Sequence, residues 1–177
     1  MKYFLAILIT FTLNNQLSSQ QLVEDVGHYT QIGLPITALG ISIAKGDKQG
    51  SIQLLKSFTL ETVVVQGMKR IVNRKRPGGG SHSFPSGHTA VSFMSSTYLW
   101  KRYGWEYGVP AAALATFVGY SRFGTEDPVH YFSDVVAGAA IGIGSSLLFT
   151  RRYEGKVKVN VIGDTSFVGI YMKINFD

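Results

Sequence analysis

The chain has 177 residues, 45% of them hydrophobic, with 17 Lys and Arg against 11 Asp and Glu, a formal charge of +6 and a pI near 9.6. That length allows one sizeable core and not two typical domains, and the positive balance favours anionic partners such as phosphate esters, acidic lipid or nucleic acid. The absence of cysteine excludes disulfides, thiol nucleophiles and Cys-based zinc sites.

In chain order, the first segment, "MKYFLAILITFTLNNQLSSQQ", has a positive start, an apolar run from Tyr3 to Leu13 and small residues at Ser18 and Ser19. It reads as a secretory leader over residues 1–20, cleaved near Ser19 to Gln21. A short membrane anchor is the competing reading, although the run falls short of the ~20 residues a spanning helix needs. Five apolar stretches follow: "IGLPITALGISIA", "SIQLLKSFTLETVVVQGM", "TAVSFMSSTYLW", "VPAAALATFVGY" and "DVVAGAAIGIGSSLLF". Their spacing predicts helices. In the second, Ile52, Leu55, Phe58, Thr62 and Val65 recur at three or four residues with Lys56 and Glu61 between them, and Asp47 stands ahead as a cap. In the last, Ala137, Gly138, Gly142 and Gly144 would let a neighbouring helix approach closely. The tail alternates instead: Val157, Val159 and Val161, then Val168, Ile170, Met172, Ile174 and Phe176, about a Gly-Asp-Thr-Ser break, predict a β-hairpin over 156–177 whose apolar face rests on the helices. The expected fold is mainly α: a single domain over 21–177, built as a bundle of about five to six helices with a C-terminal hairpin.

Three stretches carry chemistry. "MKRIVNRKRPGGG" gathers Lys69, Arg70, Arg74, Lys75 and Arg76, which on charge alone is equally a solvated basic loop. In "GGGSHSFPSGHTAVSFM", a flexible run leads into a helix start at Pro85, Ser86, Gly87 and His88. Backbone N–H groups there point at an incoming anion, and Ser86 can cap the helix or donate its hydroxyl to an oxyanion. His88 beside that pocket can give a proton to a leaving oxygen near neutral pH. In "YSRFGTEDPVHYFSD", Asp127 and Pro128 suit a helix cap and first position, which would hold His130 and Asp134 on one face a turn apart. The carboxylate then accepts from one ring nitrogen and leaves the other exposed as a nucleophile, although an isolated pair of this spacing is more often a surface pair. Phosphoryl transfer uses all of these parts, because its transition state spreads negative charge over three oxygens and needs fixed cations and N–H donors around one nucleophile.

Together the segments resemble the signature of the type 2 phosphatidic acid phosphatase superfamily, which also holds bacterial non-specific acid phosphatases and vanadium haloperoxidases. Its first motif, Lys, six residues, then Arg-Pro, matches Lys69, Arg76 and Pro77; its second, Pro-Ser-Gly-His, matches Pro85 to His88. The third, Ser-Arg, five residues, His, three residues, Asp, matches Ser121, Arg122, His130 and Asp134 with two additional residues between Arg122 and His130. The resemblance spans about Asp47 to Phe149. It implies a helical bundle and a metal-independent phosphatase without cofactor, acting on phosphate monoesters or lipid phosphates and pyrophosphates. By the same resemblance His130 would form a phosphohistidine, with Asp134 orienting it, and His88 would protonate the leaving group and later activate water. Lys69, Arg76, Ser86, Gly87 and Arg122 would bind the phosphate. His82 is expected as a loop residue, His28 as structural, and Arg70, Arg74 and Lys75 as surface charges. The expected partner is a phosphate-ester or phospholipid-type substrate in the periplasm or cell envelope, with membrane-surface association compatible and nucleic acid not expected. Two other functions remain open: vanadium-dependent halide oxidation in the same pocket, and non-enzymatic binding of anionic lipid by a basic envelope protein.

Overall fold

Each of the five apolar stretches falls within a helix of the computed structural model, which describes residues 19–125, 128–154, 157–164 and 167–174. The helices are α1 (Ser19–Ala44), α2 (Lys48–Val72), α3 (Gly87–Tyr103), α4 (Trp105–Phe123) and α5 (Phe132–Phe149). The first reaches further back than its apolar stretch, through the polar segment before Ile32. The leader expected over residues 1–20 lies, up to residue 18, outside the described residues. Residues Val157–Asp164 (β1) pair antiparallel with Phe167–Ile174 (β2), Val157 opposite Ile174. The mainly helical class rests on the helices alone; the seating of the ribbon's apolar face concerns side chains outside the described residues.

The central helix is α3, which touches all four others. Its Val91, Met94, Tyr98 and Leu99 form the core with Leu34 and Ala38 of α1, Leu54 of α2, and Ala111 and Ala115 of α4. Full burial of side chains such as Met94 or Leu99 contributes about 1.5–3 kcal/mol each. Helices α3 and α5 approach backbone to backbone. A Cβ on Gly138 would collide with the Ser86 carbonyl oxygen, and one on Gly142 with the carbonyl oxygen of Ala90, whereas Gly144 faces open space. Two of the four small residues noted in the sequence therefore make the helix crossing.

At one end of the bundle Asp47 caps α2 as expected, accepting from the Gly50 N–H at 2.8 Å. It also receives Arg102 in a two-pronged buried pair, Nη2 to Oδ1 at 2.5 Å and Nε to Oδ2 at 2.7 Å. The start of α2 is thereby locked to the end of α3.

The buried face of α2 shares only Val65 with the apolar repeat read from the sequence. Gly50, Leu54, Ser57, Glu61 and Val65 are buried, while Ile52 is 53% and Leu55 64% exposed. Both stripes repeat at helical spacing, and polarity points to the wrong one. The outer surface of α1 is also apolar, with Ile32, Ile36, Leu39 and Ile43 exposed. The start of α5 is a second correction. The helix begins at Phe132, capped by Tyr131, and Pro128 and His130 precede it. Asp134 takes the third helical position of a capping box and accepts from the Tyr131 N–H at 3.1 Å, which fixes the start there. The cap expected at Asp127 lies outside the described residues.

Candidate functional site

At the end of α2 the chain leaves the helix through Asn73, whose φ of 41° is left-handed, a conformation Asn tolerates. This turn directs the basic loop across the bundle toward the start of α5. Lys69, in the last turn of α2, donates from Nζ to the His82 carbonyl at 2.8 Å. The Arg74 guanidinium stacks on the Tyr131 ring at 4.1 Å from its centroid, and its Nη1 donates to Asp134 Oδ1 at 2.8 Å and to Ser133 Oγ at 2.7 Å. Arg74, read from the sequence as a surface charge, keeps a side chain 38% exposed and is also a partner of the buried carboxylate. Arg70 and Lys75 are exposed.

His130 is 4% exposed and Asp134 fully buried. Their nearest atoms, His130 Nδ1 and Asp134 Oδ2, stand 3.7 Å apart, beyond a hydrogen bond. Ser83 lies between them. Its hydroxyl donates to Asp134 Oδ2 at 2.5 Å and is 3.3 Å from His130 Nδ1, so the carboxylate reaches the imidazole through a serine. The His130 N–H donates to the Arg122 carbonyl at 3.0 Å, which closes the loop after α4 despite its two additional residues. Arg122 is held in turn by Nη2 to the Glu24 carbonyl at 2.6 Å and Nε to Ser121 Oγ at 3.0 Å.

Lys69, Arg76, Gly87, His88, Arg122 and His130 all line one cleft of about 400 Å³. Ser86 does not. It is fully buried beneath, its N–H donating to the Asp134 carbonyl at 2.9 Å and its Oγ paired with Thr89 Oγ1 at 3.0 Å. Of the first-turn residues of α3, Gly87 and His88 line the cleft. Burial holds the His130 imidazole down to about 4, helped by the positive charges of Lys69 and Arg76 and opposed by Asp134 and by a hydrogen bond to the Ser83 backbone. His88 is held at about 4 by burial, then by Arg122, His28, His130 and Lys69. Both rings are thus neutral at neutral pH; an anion between the cations would offset their effect and raise both. Among the described residues no group of three His, Asp or Glu stands ready to hold a metal ion.

His28 was read as structural, yet from α1 its Nδ1 lies 3.2 Å from His88 Nε2. Ser83, Arg74 and His28 carried no signal in the sequence, since their partners stand 51, 60 and 60 residues away.

The PAP2 superfamily model matches residues 50–158, more than half of the chain. The chain belongs to the PAP2 superfamily. Among its relatives, the lipid A 4'-phosphatase of Helicobacter pylori (strain J99) is 30% identical over 147 residues, 76% of this chain and 73% of that protein. A lipid A 1-phosphatase of Porphyromonas gingivalis is 37% identical over 108 residues, 56% of this chain but 24% of that longer protein. In fold, the crystal structure of Aquifex aeolicus LpxE superposes with a TM-score of 0.64 at 23% identity, covering 81% of this chain and 92% of the other. This PAP2 chain is thus similar to phosphoric ester hydrolases, and every residue lining the cleft except Gln31 lies within the family's matched segment.

Proposed function

We propose that this PAP2 protein is a metal-independent phosphatase that removes a phosphate group from a lipid of the lipid A type in the cell envelope. The observation carrying this reading is the convergence of Lys69, Arg76, Arg122, the start of α3 and two imidazoles on one cleft. Lys69, Arg76, Arg122 and the Gly87 and His88 N–H groups hold the phosphate oxygens, and Ser86 supports the helix start from below. Asp134, through Ser83, keeps the proton on His130 Nδ1 and leaves Nε2 as the nucleophile. Attack by Nε2 forms the N–P bond as the ester P–O bond breaks, and His88, protonated once the phosphate is bound, gives its proton to the departing oxygen. The neutral His88 then takes a proton from water, which attacks phosphorus and returns His130 free.

The lipid nature of the substrate is supported by the relatives' lipid A phosphatases and by the exposed apolar faces of α1 and α2. α5 is, by length and composition, a helix apolar enough to cross a membrane. We infer association with the envelope membrane, and a leader over residues 1–20 would deliver the chain there. Retention in the membrane fraction at alkaline pH until detergent is added is expected; release by the wash would contradict it.

The functional test is release of inorganic phosphate from lipid A by the purified protein with chelator present. Release by wild type, inhibition by vanadate and no release by His130→Ala are expected. Undiminished release by His130→Ala, or activation of halide oxidation by vanadate, would overturn the reading.

A further inference from the structure

One buried acid in the cleft has no part in the chemistry above. Back along α2 from Lys69, the residues Val65, Glu61 and Phe58 line the same cleft. At a rise of 1.5 Å per residue, Glu61 lies about 12 Å from Lys69 along the helix axis. Phe58 and Val91 also line an apolar groove between α1 and α2 with Pro35, Leu39 and Leu54. The cavity thus grades from cations to hydrocarbon, with Glu61 near the border.

Glu61 is 3% exposed, and its hydrogen-bond partner is its neighbour Thr62, whose Oγ1 donates to Oε2 at 3.2 Å. Burial pushes the carboxyl up to about 7, and among the described residues Thr62 alone draws it down, with no cation compensating it. A carboxyl enclosed this way destabilises the fold relative to an apolar residue of the same shape. Its remaining acceptor capacity is open to whatever fills the cleft.

We propose that Glu61 is a specificity-determining residue: it accepts a hydrogen bond from an O–H or N–H group that the substrate carries between its phosphate and its hydrocarbon chains. The site then prefers acylated sugar phosphates, whose hydroxyl and amide groups supply that donor, over diacylglycerol phosphate, whose linker has only ester oxygens. This rests on the proposed phosphatase reading, with phosphate between Lys69, Arg76 and Arg122.

The test measures kcat/KM of the full chain in detergent micelles for an N-acylated glucosamine 1-phosphate and for dioleoyl phosphatidate. The ratio of the two within one preparation is independent of how much protein is folded. One neutral hydrogen bond corresponds to about a tenfold change. Glu61→Met should lower the ratio about tenfold, chiefly through KM for the sugar lipid, while Glu61→Gln, which keeps a carbonyl acceptor and the side-chain shape, should hold it within about threefold. An unchanged ratio in Glu61→Met, or the same loss in both variants, would overturn the proposal. Failure of the wild type to hydrolyse either lipid would instead overturn the phosphatase reading beneath it.

Discussion

Replacing Ser83 with Ala removes a hydroxyl that meets no substrate, being fully buried and outside the cleft lining, yet joins the carboxylate to the imidazole. Asp134 would keep Arg74 and the Tyr131 N–H, so its charge stays compensated. A hydrogen bond to an ionised group contributes about 1.5–3 kcal/mol, and with two partners remaining the stability loss should lie near the lower end of that range. The kinetic loss should be larger, because His130 loses the hydroxyl that links its ring to Asp134 and keeps only its hydrogen bond to the Ser83 backbone. A fall in kcat of about 100-fold, or roughly 2.7 kcal/mol of barrier, matches the usual contribution of a correctly poised acid–base group. KM should change little, since the cations remain in place. Steady-state kinetics with an aryl phosphate and chemical denaturation of the same preparation measure both quantities. A variant with wild-type kcat would refute the serine bridge, as would a variant that loses KM and kcat in equal proportion.

Arg74→Ala should lower kcat about tenfold, the scale of one hydrogen bond to the carboxylate, whereas Lys75→Ala should stay within twofold; equal effects on aryl phosphate turnover would return Arg74 to the surface charges. Gly142→Ala should cost about 1–3 kcal/mol in denaturant unfolding, because the new Cβ meets α3 backbone; Gly144→Ala, into open space, should instead raise stability by up to about 1 kcal/mol. Glu61 gives a pH signature. Its folded carboxyl sits at about 7 against the ordinary 4.5, so the stability it contributes when protonated is present below about 4.5 and lost as pH rises through 7. Glu61→Gln should therefore gain on wild type across that window, by up to about 3 kcal/mol; parallel stability curves would contradict its burial.

Much of this was legible in the sequence, for physical reasons that differ between elements. Asp47 could be placed because a cap acts on the next turn of its own chain. The three motif segments could be joined because phosphoryl transfer requires several cations and an imidazole around one anion, and Lys69, Arg76, His88, Arg122 and His130 do meet in one cleft. What failed depended on neighbours. Period alone does not say which stripe of α2 turns inward, and Glu61 and Ser57 lie inside while Leu55 lies outside. Asp-Pro is a sound local start for a helix, but the Tyr131–Asp134 capping box, tied to Ser83 and Arg74, holds the start of α5 four residues beyond Pro128.

The central claim is that His130 carries the phosphoryl group between ester and water. Rapid acid-free quenching during turnover, followed by peptide mass spectrometry, tests it directly. A phosphorylated peptide should appear within the first turnover with the phosphate on His130, decay as inorganic phosphate is released, and be absent in His130→Ala. Turnover by an active preparation that never accumulates label on His130, even when His88→Ala slows its hydrolysis, would contradict the account.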